Sequence, residues 1–160
     1  MKTNNPIVRL ATLEDLPVLL EFEQGLIEAE RPMDPTIKEG TISYYDIGAF
    51  IQAPDSDVYV VEKEGAIVAS GYARIKGDRH YLKHDRIGYL GFMFVPDEHR
   101  GQGLNQLIVN ALLDWCRERN LYEVRLDVYD NNPSAIRAYE KAGFHKHLIN
   151  MRLDLRKMDL

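Results

Sequence analysis

Apolar positions along this chain follow two rhythms, and the change from one to the other lays out its elements. The helical rhythm is cleanest in the last third. There Leu104, Leu107, Ile108, Ala111, Leu112 and Trp115 recur at helical spacing and form one unbroken face. An earlier stripe of Leu13, Leu16, Leu19, Leu20 and Ile27 predicts a helix, interrupted only at Glu23. Thr12, with Asp15 three residues on, makes an approximate capping box at its start. The run Arg31-Pro-Met-Asp-Pro35 ends it, because proline lacks an N–H and restricts the residue before it. A second helix is expected over 36–52, with Ile37, Ile42, Tyr45 and Phe50 among its apolar contacts.

The alternating rhythm marks strands. A short one opens the chain over 6–10, and Val58, Val60 and Val61 place another over 57–62. Lys63, Glu64 and Gly65 read as a hairpin turn into a partner strand over 66–76. After a polar loop over 77–85, residues 86–95 form a strongly apolar strand stopped by Pro96. Val124, Leu126 and Val128 alternate within a strand over 123–129. Asn132 followed by Pro133 reads as a helix cap with proline at the first helical position. Ala135, Ala138, Tyr139 and Ala142 share one face of that helix, and Gly143 stands where a left-handed C-terminal cap belongs. Ile149, Met151, Leu153 and Leu155 alternate in a closing strand over 149–155.

The order is β-α-α-β-β-β-α-β-α-β. The tight turn requires an antiparallel pair, and the crossover from 86 to 129 a parallel one. The expectation is an α+β domain with a mixed sheet flanked by helices. There is no repeat and no linker-like shift in composition, so one domain is expected over 1–160.

Composition narrows the function. Net charge is −5 with no Lys/Arg run, which argues against a nucleic-acid partner gripping through phosphates. No stretch approaches the ~20 apolar residues of a membrane span. The opening residues lack the apolar core of a signal peptide. One cysteine, Cys116, forbids an intrachain disulfide and fits a reducing compartment, so a cytoplasmic location is expected. His99, His145 and His147 with scattered acids have no metal-ligand spacing, and no metal is expected. Trp115 and Cys116 read as core.

The stretch most suggestive of chemistry is Val95-Pro-Asp-Glu-His-Arg-Gly-Gln-Gly-Leu-Asn105, between an apolar strand and an amphipathic helix. A helix start leaves N–H groups without partners under a positive dipole end. Gly101 and Gly103 let the main chain approach a ligand, and Arg100 offers a fork of donors to phosphate oxygens. Together these make an anion cradle. Gln106 at the third glycine position excludes the dinucleotide fingerprint, and no G-K-[ST] follows as in a P-loop. The alternative is that both glycines only shape a strand-to-helix turn.

Two segments carry a resemblance to a known family. Arg100-Gly-Gln-Gly-Leu-Asn105 resembles the R/Q-x-x-G-x-G/A signature of the GNAT superfamily of N-acetyltransferases. Asn132-Pro-Ser-Ala-Ile-Arg-Ala-Tyr-Glu-Lys-Ala-Gly-Phe144 resembles its second signature, N-x-x-A-x-x-x-Y-x-x-x-G-F. The opening Val8-Arg-Leu-Ala-Thr-Leu-Glu-Asp-Leu16 is similar to a common start in that family. Asn105 departs from the Gly or Ala of the first signature but keeps its main-chain N–H.

The resemblance implies a mostly antiparallel sheet and an acyl-CoA-dependent N-acyltransferase that moves the acetyl group of acetyl-CoA to an amine of a small molecule or protein. It implies that the strands over 86–95 and 123–129 splay apart around the pantetheine arm. Met93, Phe94 and Val95 would pair with the pantetheine amides, as an added strand does. The N–H groups of Gly101, Gln102, Gly103, Leu104 and Asn105 would hold the pyrophosphate. Asn132 and Ala135 would face the cofactor arm, although Asn132 serves equally as a helix cap. Tyr139 takes the place of the general acid that protonates the leaving thiolate, and a main-chain N–H at Val95 or a neighbour that of the oxyanion donor.

The family's usual acid on the strand before the cradle is replaced here, in the neighbourhood of Gly91 and Phe92. His84 is then a candidate base, with Asp85, His80, Glu98 and Tyr89 behind it. Glu28, Glu30, Asp34 and Glu39 either welcome a cationic acceptor or form a solvated face. A homodimer is compatible with the sequence, and the acceptor is not legible. Two other readings remain: a non-catalytic acyl-CoA-binding or regulatory module on the same fold, and a nucleotide-phosphate-binding protein of another kind.

Overall fold

The computed structural model describes residues 5–158. Arg9 gathers the start of the chain. It sits on β1 (Ile7–Leu10), grips the Asp15 carboxylate with both terminal nitrogens at 2.8 and 2.9 Å, and donates from Nε to Glu62 at 2.9 Å. Asp15 in turn accepts the Thr12 N–H at 2.8 Å, as a capping box requires. The Arg9 guanidinium holds the Asp15 carboxyl below the ordinary carboxylate range. A short 3-10 turn, Leu13–Asp15, then leads into α1 (Leu16–Glu30).

Behind β1 lie β2 (Ser56–Lys63), β3 (Ala66–Gly77), β4 (Arg86–Phe94) and β5 (Val124–Arg125), in the order β1-β2-β3-β4-β5. The first three pairings are antiparallel and β4–β5 is parallel. The sheet is therefore mixed and mostly antiparallel, as expected.

Each face of the sheet carries its own core. α3 (Leu104–Glu118) lays Leu104, Ile108, Leu112 and Trp115 on Val61, Ala69, Ala73 and Leu90. Gly71 lets the helix come this close: a Cβ there would meet Ile108 Cγ2 at 2.5 Å. The Trp115 indole N–H donates to Asp57 at 2.8 Å, and the Arg119 guanidinium lies 3.9 Å from its ring centroid. Cys116 is buried, and burial pushes its thiol up to about 11, so it is protonated and inert. Both residues are core, as the sequence predicts. On the other face α1 and α2 (Ile47–Gln52) pack Leu19, Phe22 and Ile47 against Val58, Val60, Tyr72 and Phe92. No helix among the described residues is long and apolar enough to cross a membrane.

Three elements differ from their expected extents. The helix expected over 36–52 is confined to Ile47–Gln52. Glu23 explains this. The residue that interrupts the stripe of α1 is itself 1% exposed, and its carboxylate accepts the N–H of Tyr44 at 3.0 Å, the N–H of Tyr45 at 2.9 Å and the Ser43 hydroxyl at 3.2 Å. Arg31 takes the carbonyls of Lys38 and Gly40. Groups that a helix would pair along its own axis are thus drawn to α1, and 34–46 is a strapped loop. The strand expected over 123–129 makes ladder pairs only at Val124 and Arg125, because β4 bends away beyond them. The closing strand over 149–155 has no sheet partner among the described residues. α4 (Pro133–Lys141) lies where Asn132 and Pro133 predict it, with Gly143 left-handed behind it at φ 111°.

Glu23→Ala leaves two backbone donors unpaired beside a buried site, so it should destabilise the fold by about 2–4 kcal/mol in urea unfolding. A loss below ~1 kcal/mol would show that the strap is held by something else.

Candidate active site

The site starts from a defect in β4. Ser70 of β3 pairs with Phe94, yet Tyr72 pairs with Gly91, so three steps along β4 face two along β3. The extra residue places Phe92 at φ 57°, a left-handed conformation that a bulky side chain rarely adopts. Such strain persists only where surroundings hold it. Here the Ser70 hydroxyl donates to the Phe92 carbonyl at 3.0 Å in full burial, and the Phe92 ring stands edge-on to Tyr45 at 5.7 Å.

The bulge turns β4 away from β5. Ladder pairs join them at Gly88–Val124 and Tyr89–Arg125 only. Just beyond, the Tyr89 hydroxyl donates to Asp127 at 2.7 Å and bridges the strands where they part. From there no ladder pair joins 91–94 to 126–129, and the parted strand edges form an open cleft, the condition an extended ligand needs to add as a strand. Met93, Phe94 and Val95 lie along its β4 side.

At the exit of β4 the chain makes a 3-10 turn, Asp97–His99, and reaches the cradle. Gly101 and Gly103 have φ of 80° and 75°, and a Cβ on either would meet nothing within 4 Å. Glycine is needed here for its backbone angle, and the space in front is open. The first bond of α3 runs from the Leu107 N–H to the Gly103 carbonyl at 3.3 Å. The N–H groups of Leu104, Asn105 and Gln106 therefore have no acceptor in the helix, and its positive end faces out. Arg100 folds over this loop, donating to the Val95 carbonyl at 3.1 Å and pairing with Asp97 at 3.0 Å. Lys63, at the end of β2, reaches Gln102 at 3.0 Å and adds a second cation beside the cradle. No sequence pattern links it to a loop 39 positions away. A cavity of about 460 Å³ continues from the cradle towards α1, lined by Gly25, Ala29, Phe94, Glu98 and Arg100.

The run after β5, which leads into α4, is tied to the turn after α1. The Tyr129 hydroxyl donates to Asp34 at 2.7 Å, and Asn131 Nδ2 donates to the Met33 carbonyl at 3.4 Å, tying the run after β5 to the turn after α1. Asn132 caps α4 by accepting the Ala135 N–H at 3.2 Å, so the cap role is the one its carbonyl oxygen fills. Tyr139, half-buried, stands edge-on to Phe144 with centroids 6.0 Å apart. Burial, and then the charge of Glu30, push its hydroxyl up to about 12. Burial likewise pushes the Glu30 carboxyl above the ordinary carboxylate range, with the charge of Asp34 adding to it. The Tyr44 hydroxyl is buried beside Glu30 without an aligned partner. Glu30, Tyr44, Tyr129 and Tyr139 are thus electrostatically coupled at one end of the cleft.

The remaining candidates lie elsewhere or are displaced. His84 pairs with Asp78 at 2.6 Å, and Asp78 faces Arg125 at 3.7 Å, at the opposite end of β4. With a rise of about 3.3 Å per residue, that end is about 25 Å from Phe94, so His84 is not brought to the cleft. His80 and Asp85 share its hairpin loop. A Cβ on Gly91 would lie 2.5 Å from Tyr72 Oη, so the tyrosine fills the space an acid on that strand would occupy. Sequence reasoning left Glu30 between a solvated face and a cation site; its burial was hidden because its partners come from 44, 129 and 139. Among the described residues no three His, Cys, Asp or Glu side chains converge as metal ligands.

Comparison with known proteins agrees with this geometry. Human N-acetyltransferase 8B is 31% identical over 98 residues, which cover 61% of this chain and 42% of that protein. The chain thus spans less than half the length of that curated relative. The Bacillus halodurans protein BH1408 superposes with a TM-score of 0.84 at 23% identity, over 93% of this chain and 99% of that one. A predicted acetyltransferase of Clostridium acetobutylicum, solved with acetyl-CoA, gives a TM-score of 0.71 at 19% identity, over 96% and 99%. These two likenesses show the fold. The profile of the acetyltransferase (GNAT) family matches residues 24–144, a span that holds the bulge, the cleft, the cradle and Tyr139, and the chain belongs to that family.

Proposed function

We propose that this chain transfers the acetyl group of acetyl-CoA to a primary amine by direct attack on the thioester. One observation carries the reading: a cradle of unpaired N–H groups at Gly101, Gln102, Gly103, Leu104 and Asn105 opens onto a strand-edged cleft that ends at a protonated, half-buried tyrosine. The cradle, with Arg100 and Lys63, suits a diphosphate. The edge at Met93, Phe94 and Val95 suits the two amides of a pantetheine arm. Asn132 Nδ2 is not used by the cap and is free to face that arm.

The chemistry follows from the groups at the cleft end. The amine nitrogen forms a bond to the thioester carbon, and the oxygen gains negative charge that a main-chain N–H at Val95 or its neighbour stabilises. The Glu30 carboxylate, its proton affinity raised by burial, takes the amine proton through water. As the carbon–sulfur bond breaks, Tyr139 gives its proton to the thiolate. The tyrosinate then recovers from solvent a proton equivalent to the one that Glu30 gives up. Glu28, Glu30 and Asp34 at the mouth favour a cationic acceptor. The filled position at Gly91 also supports a second reading, a module that binds acetyl-CoA without turning it over. Release of CoA over a panel of polyamines, amino acids, aminoglycosides and peptides separates the two, because a sensor binds and releases none.

Tyr139→Phe should lower kcat by about tenfold or more and leave acetyl-CoA affinity within about twofold. Lost affinity with kcat preserved would remove the acid role. Glu30 must be ionised to act as a base, so kcat/KM should rise with pH through its raised pKa. Glu30→Gln should abolish that acidic limb, and a limb that survives unchanged assigns it to another group. Gly103→Val forces a β-branched residue to a positive φ and should raise the KM for acetyl-CoA about tenfold or more. An unchanged KM would place the diphosphate elsewhere.

A further inference from the structure

The face of the sheet that carries α1 and α2 is covered only in part. Leu19, Phe22 and Ile47 lie on Val58, Val60, Tyr72 and Phe92. Past Tyr72 the same face runs on through Arg74 and Lys76 of β3, because side chains two apart on a strand point the same way. Arg74 stands opposite Tyr89 of β4, and Tyr89 opposite Arg125 of β5. Directly opposed residues project to one side. A tyrosine is thus flanked by two arginines across three strands, and Lys76 Nζ lies over its ring, 4.7 Å from the centroid.

The charges in this row are unevenly matched. Arg125 is supplied with acids: its Nε meets Glu123 at 3.1 Å and its Nη2 faces Asp78 at 3.7 Å, and Asp78 is shared with His84 at 2.6 Å. Arg74 and Lys76 form no ion pair among the described residues. Their partners are aromatic, the Arg74 guanidinium lying 5.3 Å from the Phe50 centroid and Lys76 over Tyr89. Asp127, the acid beside them, accepts the Tyr89 hydroxyl at 2.7 Å. Two cations on one strand face repel, although the chain as a whole carries −5. An anion from outside would relieve that repulsion.

The patch lies where the cleft begins. Tyr89–Arg125 is the last ladder pair before β4 and β5 part. Tyr72, the next position on this face of β3, fills the space in front of Gly91, beside the bulged Phe92. Burial raises the Tyr72 and Tyr89 hydroxyls above the ordinary phenol range, and the charge of Arg74 opposes the rise in both. On the acetyl-transfer reading, an arm laid from the cradle along Val95, Phe94 and Met93 points its thioester towards this vertex. A molecule that meets it from the α1 and α2 face lies over Tyr89, with Arg74 and Lys76 beside it.

We infer that Arg74 and Lys76 form an anion subsite of the acceptor pocket, so that the acceptor is an amine that also carries a carboxylate or phosphate group. As an acceptor subsite it rests on the acetyl-transfer reading; as a pair of cations open to an anion it does not. The guanidinium offers a planar fork of donors and the ammonium a compact charge, and both suit carboxylate or phosphate oxygens. Arg125, already neutralised, is left out. Glu28, Glu30 and Asp34 receive the ammonium end of such an acceptor, and the two cations its anionic end. Asp34 is tied to Tyr129, four positions beyond Arg125, so at most about 13 Å of extended chain separates the acidic end from the basic one. The anion then lies several bonds from the amine, as in an ω-amino acid or an aminoalkyl phosphate.

The first experiment needs no turnover. The full chain is titrated with inorganic phosphate and with an ω-amino acid, and NMR follows the Arg74 Nε–H and the backbone amides of 73–76. These signals should shift saturably with both, and the double substitution Arg74→Gln with Lys76→Gln should abolish the shift at 73–76. Signals that neither anion moves overturn the inference. The second experiment measures CoA release with an alkylamine, a diamine, an ω-amino acid and an aminoalkyl phosphate of one chain length. The two anionic amines should exceed the alkylamine in kcat/KM by about tenfold or more, through KM. The double substitution should erase that preference, and Arg74→Lys, which keeps the charge, should retain most of it. A preference for the diamine, or one for the anionic amines that survives the double substitution, also overturns the inference. CoA release from none of the four, with 73–76 still shifting, counts against the transferase reading alone, since anion binding by Arg74 and Lys76 stands without it.

Discussion

A single buried hydrogen bond, from the Ser70 hydroxyl to the Phe92 carbonyl, underlies the architecture of the cleft. Without a holding contact a phenylalanine at φ 57° would relax into the sheet, and β4 would run on beside β5. With it, β4 carries one residue more than β3, bends, and leaves the edges over 91–94 and 126–129 unpaired. The same bend sends the chain out at Val95 towards the start of α3. Cleft and cradle are therefore two consequences of one misregister. The Tyr89–Asp127 bond and the tie from Tyr129 to Asp34 keep the two sides at a set separation.

What the sequence shows of this arrangement depends on how local the cause is. The stripe of α3, the alternation of β2 and β3, the cap at Asn132 and the glycines at 101 and 103 are decided by neighbours a few positions apart, and each is where its pattern puts it. The bulge has no such marker. Glycine is the usual sign of a positive φ, and Gly91 stands next to the residue that adopts it. The loop over 34–46 reads as helix by periodicity, and only the long-range demands of Glu23 and Arg31 unmake it. Glu23 itself is legible after the fact: a lone acid inside an apolar stripe is buried by its neighbours and must find donors. The run over 149–155 shows the converse case. Its alternation reads as a strand, yet among the described residues it joins no sheet, because a strand needs an edge to pair with as well as a pattern.

The two carboxylates of α1 that matter sit seven residues apart and do different work. Glu23 is surrounded by three donors and holds the strap over 34–46 against α1. Glu30, at the helix end, is pushed up by burial more than the neighbouring Tyr44 hydroxyl brings it down, with the charge of Asp34 adding to the rise.

Tyr72 accounts for where the proposed base stands. Its ring fills the space in front of Gly91 and packs with Tyr45 and Phe50, joining the sheet to the strapped loop. A carboxylate on β4 at that point would displace the ring and lose the aromatic contacts that fix the loop. The acid proposed instead, Glu30 at the end of α1, leaves that packing intact. In the proposed reaction this sets the acceptor near the donor, since Tyr139 lies within reach of the charge of Glu30. On the proposed reading, an acid at the end of the helix and not on the strand is what the packing of Tyr72 permits, and the strap that Tyr72 packs against then bears on the chemistry as well as on the fold.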